Sequence, residues 1–311
     1  MSAILAKPEQ FIRDLDRVSA TLAPTPKVDG FLTDLDRVHR QTAADQEPFL
    51  LALDYDLSGL AHQFDAIRSC AFEKLGGSQW LENLPTYDPL CCRVSLFGTL
   101  DLGLRETAHT RALAYLMNRD EDHGFGDILL RAFLKQIFGW DDERQLTDVR
   151  INSELRSGES RDRLDIFMSG RCALSAGKVE TWMVIVEAKI DADEAEDQLA
   201  RYEDQLYEKI ASSDYHALVF LTPDGREPTT DSKGGGPKWT PLSFIKLMAQ
   251  FRQRLPKLSE QPEFGYLRHY MTGVLKDLYR LNCGNFSKKV PDTNEIYRIC
   301  EYLSLETTGG K

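Results

Sequence analysis

Two apolar runs that end in charge constrain this chain more than any other feature. Arg163-Leu164-Asp165-Ile166-Phe167 is followed, after a short turn, by Trp182-Met183-Val184-Ile185-Val186-Glu187-Ala188-Lys189. A globular protein does not carry two acids and a lysine to the ends of apolar strands without a use for them. An antiparallel hairpin with its apex in Ser175-Ala176-Gly177 sets residues whose numbers sum to about 352 opposite each other. Asp165 then faces Glu187. Glu187 and Lys189 are two apart and share a face of the strand, while Ala188 points to the other. Oxygen ligands from two acids suit a hard cation such as Mg²⁺, which keeps several waters. A neighbouring lysine can hold a phosphate oxygen or orient a water, so the set is equipped for phosphodiester hydrolysis.

The rest of the chain fits a soluble protein. Its 311 residues suffice for one large or two modest domains, and at this size folding buries about 75% of the unfolded surface. No apolar run approaches the ~20 residues of a membrane span, and the first ten residues do not read as a signal peptide, so the expected location is cytoplasmic. The six cysteines form no C-x-x-C pair, which argues against a zinc site or a disulfide framework and for buried thiols. The net charge of -11 works against a sequence-independent grip on nucleic acid. Positive charge must therefore be concentrated locally, or borrowed from a protein partner or a second copy of the chain. Part of the acidity, from Asp191 to Asp204, belongs to the start and outer face of a helix.

Organisation follows from periodicity. Residues 1–90 read as helical, with Phe11-Ile12-Arg13-Asp14-Leu15-Asp16-Arg17-Val18 repeated as Phe31-Leu32-Thr33-Asp34-Leu35-Asp36-Arg37-Val38 across an Ala23-Pro24-Thr25-Pro26 break. Further helical spacing spans 47–74, ended by Gly76-Gly77-Ser78. Helices are expected over 104–117 and 127–138, the second capped by Asp127. Strands follow over 149–156, 164–168 and 182–188, the third apolar on both faces and hence central. A helix over 194–210, with Leu199, Tyr202, Leu206 and Ile210 as its core stripe, leads to a strand over 215–221. Residues 231–238 are Gly-rich and irregular, helices return over 241–255 and 264–281, and the last residues fray.

These residues also resemble a known family. Asp165 stands where the PD-(D/E)XK nuclease superfamily has its first acid, and Glu187-Ala188-Lys189 is its (D/E)XK; Leu164 replaces the motif's Pro. Glu187 to Ala192 leads through acids to Gln198-Leu199-Ala200-Arg201-Tyr202, which looks like the E-x-K, then Q-L-x-R-Y pattern of one prokaryotic branch. Upstream, Glu106 to Leu116 and His123-Gly124-Phe125-Gly126-Asp127 resemble that branch's leading helix and loop. The resemblance covers residues 104 to 245. It implies an α/β restriction-endonuclease-like fold, a mixed central sheet flanked by helices, as the nuclease core (101–250); the helical spacing outside it adds a helical N-terminal extension (1–100) and a C-terminal helical cover (251–311). It also implies an endonuclease that uses Mg²⁺, with Mn²⁺ as a substitute, on DNA ahead of RNA, in prokaryotic defence or repair.

The expected roles are specific. Asp165 and Glu187 hold the metal, with the carbonyl of Ala188 and the carboxylate of Glu106 as further ligands, and Lys189 positions water or steadies charge on phosphate. Glu106 reads equally as a first-turn acid favoured by the helix dipole. Gln198 and Tyr202, four apart on one helix face, support the site rather than carry the chemistry. Glu154, His109, His123, Arg161 and Arg163 each have an ordinary structural reading beside a functional one. The rival function is an inactive nuclease-fold module that binds a protein, or a further homo-oligomer contact, through the N-terminal helices. A metal-dependent RNA nuclease is the third reading.

Overall fold

A mixed five-stranded sheet in the order β1-β2-β3-β4-β5 organises this computed structural model. The structure describes residues 84–156, 163–173, 177–191, 198–229, 238–286 and 291–304, all within one unit, Ser78–Leu305. The N-terminal repeat, its linker and the 47–74 helix lie outside the described residues. So do Arg161, Cys70, residues 192–197 at the start of the acidic helix, most of the Gly-rich loop and the chain end.

Strands β1 (Gln145–Arg156), β2 (Arg163–Ala173) and β3 (Val179–Ala188) form an antiparallel meander. Ile166 stands opposite Val186 and Phe167 opposite Ile185, the register expected from the sequence. All three strands run longer than their expected segments, and the added ladder also buries Leu146, Cys172 and Glu180. β4 (Tyr215–Thr222) lies parallel to β3, so the chain must cross over, and the helix Gln198–Ala211, labelled α4 below, supplies the crossover. β3 is the central strand and is buried without a break from Trp182 to Ala188.

The helix expected from residue 241 begins at Phe244 instead; the residues before it form β5 (Trp239–Ser243), a parallel edge strand on β4. Pro241 has no N–H to donate and is tolerated at a sheet edge. Ser243 then ends the strand, its hydroxyl accepting from the Lys246 N–H at 3.3 Å to cap the helix Phe244–Arg252.

Helices cover the sheet. The short α1 (Leu96–Thr99) precedes α2 (Glu106–Met117), which packs on β1 and β2, and α3 (Ile128–Phe138). Asp127 sits at the start of α3 without capping it, because its carboxylate pairs with Arg131 at 2.8 Å instead. Leu199 and Tyr202 of α4 close over Met183, Ile185, Leu218 and Phe220 in one buried cluster. Each such side chain contributes about 1.5–3 kcal/mol by leaving water. Beyond β5 come α5 (Phe244–Arg252), α6 (Leu255–Leu258), α7 (Phe264–Gly273), which passes into a π-helical turn, and α8 (Thr293–Tyr302). α8 starts with a capping box in which Asp292 and Glu295 each accept from the other's backbone.

Residues 84–100 pack with this C-terminal set. Asp88, 1% exposed, accepts from the Arg252 guanidinium at 2.8 Å and from the Leu90 N–H at 3.0 Å. Thr272 and Lys276 donate to the carbonyls of Pro89 and Arg93. Of the cysteines, five are described as free thiols, all but Cys91 buried. Among the described residues no helix is long and apolar enough to cross a membrane.

Candidate active site

The β2–β3 register delivers Asp165 and Glu187 to adjacent strands, and each is then held by a local contact. The Ala188 N–H donates to Asp165 Oδ2 at 2.8 Å, fixing that carboxylate against the end of β3. The Lys189 N–H donates to the Leu221 carbonyl at 2.9 Å, which carries the parallel ladder one residue past β3. Its ammonium therefore returns to the sheet and donates to Glu187 Oε1 at 2.7 Å. Across the ammonium, Glu106 Oε2 from the first turn of α2 stands at 3.6 Å.

α4 closes the other side. Gln198 Nε2 donates to Glu187 Oε1 and to the Tyr202 hydroxyl, each at 2.8 Å. The Tyr202 hydroxyl donates in turn to the Arg163 carbonyl at 2.8 Å, tying helix to strand. The four-residue spacing thus does what helix geometry expects, setting both side chains on one face. Tyr202 is also a core residue, 1% exposed. Glu187 Oε1 takes two donors, while Glu187 Oε2 is buried and has no hydrogen-bond partner among the described residues.

Electrostatics follow from this crowding. Burial is the main cause that pushes the Asp165 carboxyl up to about 6, with Glu106 and Glu154 adding to it and the Ala188 N–H and Lys189 opposing. Burial, then the charge of Asp165, pushes Glu187 up to about 8. Burial also raises Glu106, against the pull of Lys189. Burial favours a neutral Lys189, yet Glu187, Glu106 and Asp165 hold its ammonium above the ordinary lysine range. Three carboxyls share one ammonium, and the acids respond by holding protons.

An orphaned carboxylate oxygen beside a second carboxylate fits a hard, oxygen-coordinated cation. Among the described residues, no three His, Cys, Asp or Glu side chains group to hold one ion. The donor set on offer is therefore two carboxylates with backbone and water oxygens, and Glu106 meets it through Lys189.

The remaining candidates have structural partners. His109 is fully buried, its Nε2 against the Gly103 carbonyl at 2.9 Å, and burial lowers its pKa. His123 closes the end of α2, with Nε2 at 3.0 Å from the carbonyls of Tyr115 and Asn118 and Nδ1 accepting from the Phe125 N–H. Glu154 adopts a left-handed φ of 53° on β1 and pairs with Arg111 and, at 3.9 Å, with Arg163. Arg111 was not foreseen in this role. No local pattern links it to an acid 43 residues away.

The model of the PD-(D/E)XK nuclease superfamily matches residues 95–271, more than half of the chain. It extends past the 104–245 stretch on both sides and includes Glu106, Asp165, Glu187, Lys189, Gln198 and Tyr202. No curated protein and no solved structure matches. The chain belongs to the PD-(D/E)XK nuclease superfamily.

Proposed function

We propose that this protein is a divalent-metal-dependent nuclease that hydrolyses phosphodiester bonds at Asp165, Glu187 and Lys189. The observation that carries the reading is the buried carboxyl pair, whose raised proton affinities and unpartnered Glu187 Oε2 suit an oxygen-bound cation. Mg²⁺ is the favoured ion, with Mn²⁺ as a substitute. Asp165 and Glu187 would hold it, with the Ala188 carbonyl and Glu106 as further candidates. When bound, the metal supplies positive charge that steadies the phosphate in the transition state.

The chain's own residues do the rest. Lys189, whose ammonium donates to Glu187 Oε1, would offer that ammonium to a water or a phosphate oxygen. Gln198 keeps Glu187 Oε1 in place, and Tyr202 anchors Gln198 to β2. Both are positioning residues. DNA in preference to RNA, endonucleolytic cutting, and a role in prokaryotic defence or repair rest on family resemblance. A net charge of -11 leaves room for a partner or a second copy that completes the nucleic-acid surface, with residues 1–90 as the candidate for that assembly.

The test is a substrate panel. Pure protein is incubated with plasmid, linear duplex, single-stranded DNA and RNA in Mg²⁺, Mn²⁺ or EDTA. Metal-dependent products from DNA support the proposal. A protein that cuts none of the four in either metal is the inactive module instead.

A further inference from the structure

Behind the first turn of α2 lies a groove that the hydrolytic site does not use. It measures about 540 Å³, within the ~300–1,000 Å³ typical of ligand sites. α1, the loop to α2, the outer face of α2 and α7 form its walls. Those walls are unusual for this chain. Rings of Phe97, Tyr115, Tyr266, His269 and Tyr270 line it with leucines, and Arg105 and Arg111 are its formal cations. Among the described residues no aspartate or glutamate is in its lining, although acids outnumber Lys and Arg by 49 to 38 in the sequence. Tyr266 and Tyr115 meet edge to face at 5.3 Å, and Tyr266 remains 37% exposed. Leu100 is 64% exposed. The side chains of Arg105 and Arg111 are 61% and 63% exposed despite their pairing with Asp101 and Glu154.

The groove and the candidate active site share the first turn of α2. Arg105, Thr107 and Ala108 line the groove, and Glu106 between them reaches Lys189. An exposed tyrosine, apolar walls and two half-exposed arginines match single-stranded nucleic acid, whose bases stack on aromatics while its phosphates take cations. We propose that the groove binds an unpaired base of the strand that is cut, with the flanking phosphates on Arg105 and Arg111. The proposal rests on the nuclease reading and adds the substrate class: a strand that is single-stranded next to the scissile bond.

The experiment measures anisotropy of a labelled single-stranded oligonucleotide with the full chain in EDTA, and metal-dependent cleavage by the same preparations. Tyr266→Ala weakens binding roughly tenfold, whereas Tyr266→Phe, which keeps the ring, binds like the parent. Arg105→Ala weakens binding and flattens its salt dependence. Leu100→Lys binds as tightly or more tightly, because it adds a cation at the rim. If the parent cleaves while Tyr266→Ala and Arg105→Ala bind unchanged, the groove proposal falls and the nuclease reading stands. If Leu100→Lys instead dissolves a dimer and Tyr266→Ala leaves oligonucleotide binding intact, the groove is a protein face and the proposal falls. A parent that neither binds nor cleaves nucleic acid removes both.

Discussion

Replacing Glu187 by Gln should stabilise the metal-free protein, and increasingly so as pH rises. Glu187 is 1% exposed and its carboxyl moves from 4.5 to about 8 on folding. The folded chain thus keeps a proton that the unfolded chain loses. Stability at this group is full below about pH 4.5 and is lost as pH rises through about 8. At about 1.4 kcal/mol per pKa unit, the loss between pH 5 and pH 8 comes to about 3 kcal/mol. Glutamine keeps the shape and an oxygen for Lys189 and Gln198 but does not titrate. Lys189 loses one counter-charge and retains Glu106 at 3.6 Å. Urea unfolding of parent and Glu187→Gln in EDTA, from pH 5 to pH 8, reads the difference directly. The variant should gain on the parent by about 3 kcal/mol across that range. A gap that stays constant or shrinks as pH rises would refute the buried, proton-holding carboxyl.

Further outcomes follow from the same geometry. Mg²⁺ or Mn²⁺ at pH 8 and a hundredfold excess over Kd should stabilise the parent by about 2.7 kcal/mol, raising its thermal midpoint, and leave that of Asp165→Asn unmoved. Tyr202→Phe frees Gln198 from its anchor, so cleavage should slow about 10–100-fold through kcat while fold and oligonucleotide affinity persist, as separate kcat and KM measurements would show. Asp88→Ala leaves the Arg252 guanidinium without its buried carboxylate and should cost about 3 kcal/mol in urea unfolding, with little effect on metal binding.

The hairpin carrying the site was legible in the sequence because it is local. Two apolar runs and a turn leave one register that buries both, so the pairing of Ile166 with Val186, one step from Asp165 and Glu187, could be derived from residue numbers alone. Gln198 and Tyr202 were legible for the same reason, since helix spacing fixes their shared face. β5 was not, because Pro241 and the apolar run behind it read as the start of a helix until a sheet edge is there to accept them. α8 had a signal, the Asp292-to-Glu295 capping box, inside a segment with little apolar pattern to draw attention to it. Arg111 and Glu154 meet only through the packing of α2 on β1. Residue 90, where the helical reading of the N-terminus ends, is not a boundary in the structure, since Asp88 and Leu90 are buried among the C-terminal helices.

The most direct test is cleavage of labelled DNA by the parent, Asp165→Asn and Lys189→Ala, purified together and assayed with Mg²⁺ and with EDTA. Removing charge from a crowded site seldom harms folding, so all three should show the same circular dichroism. The parent should cut only with metal, and both variants should be inactive under every condition. Variants that cut as fast as the parent would show that Asp165, Glu187 and Lys189 are not where the chemistry happens.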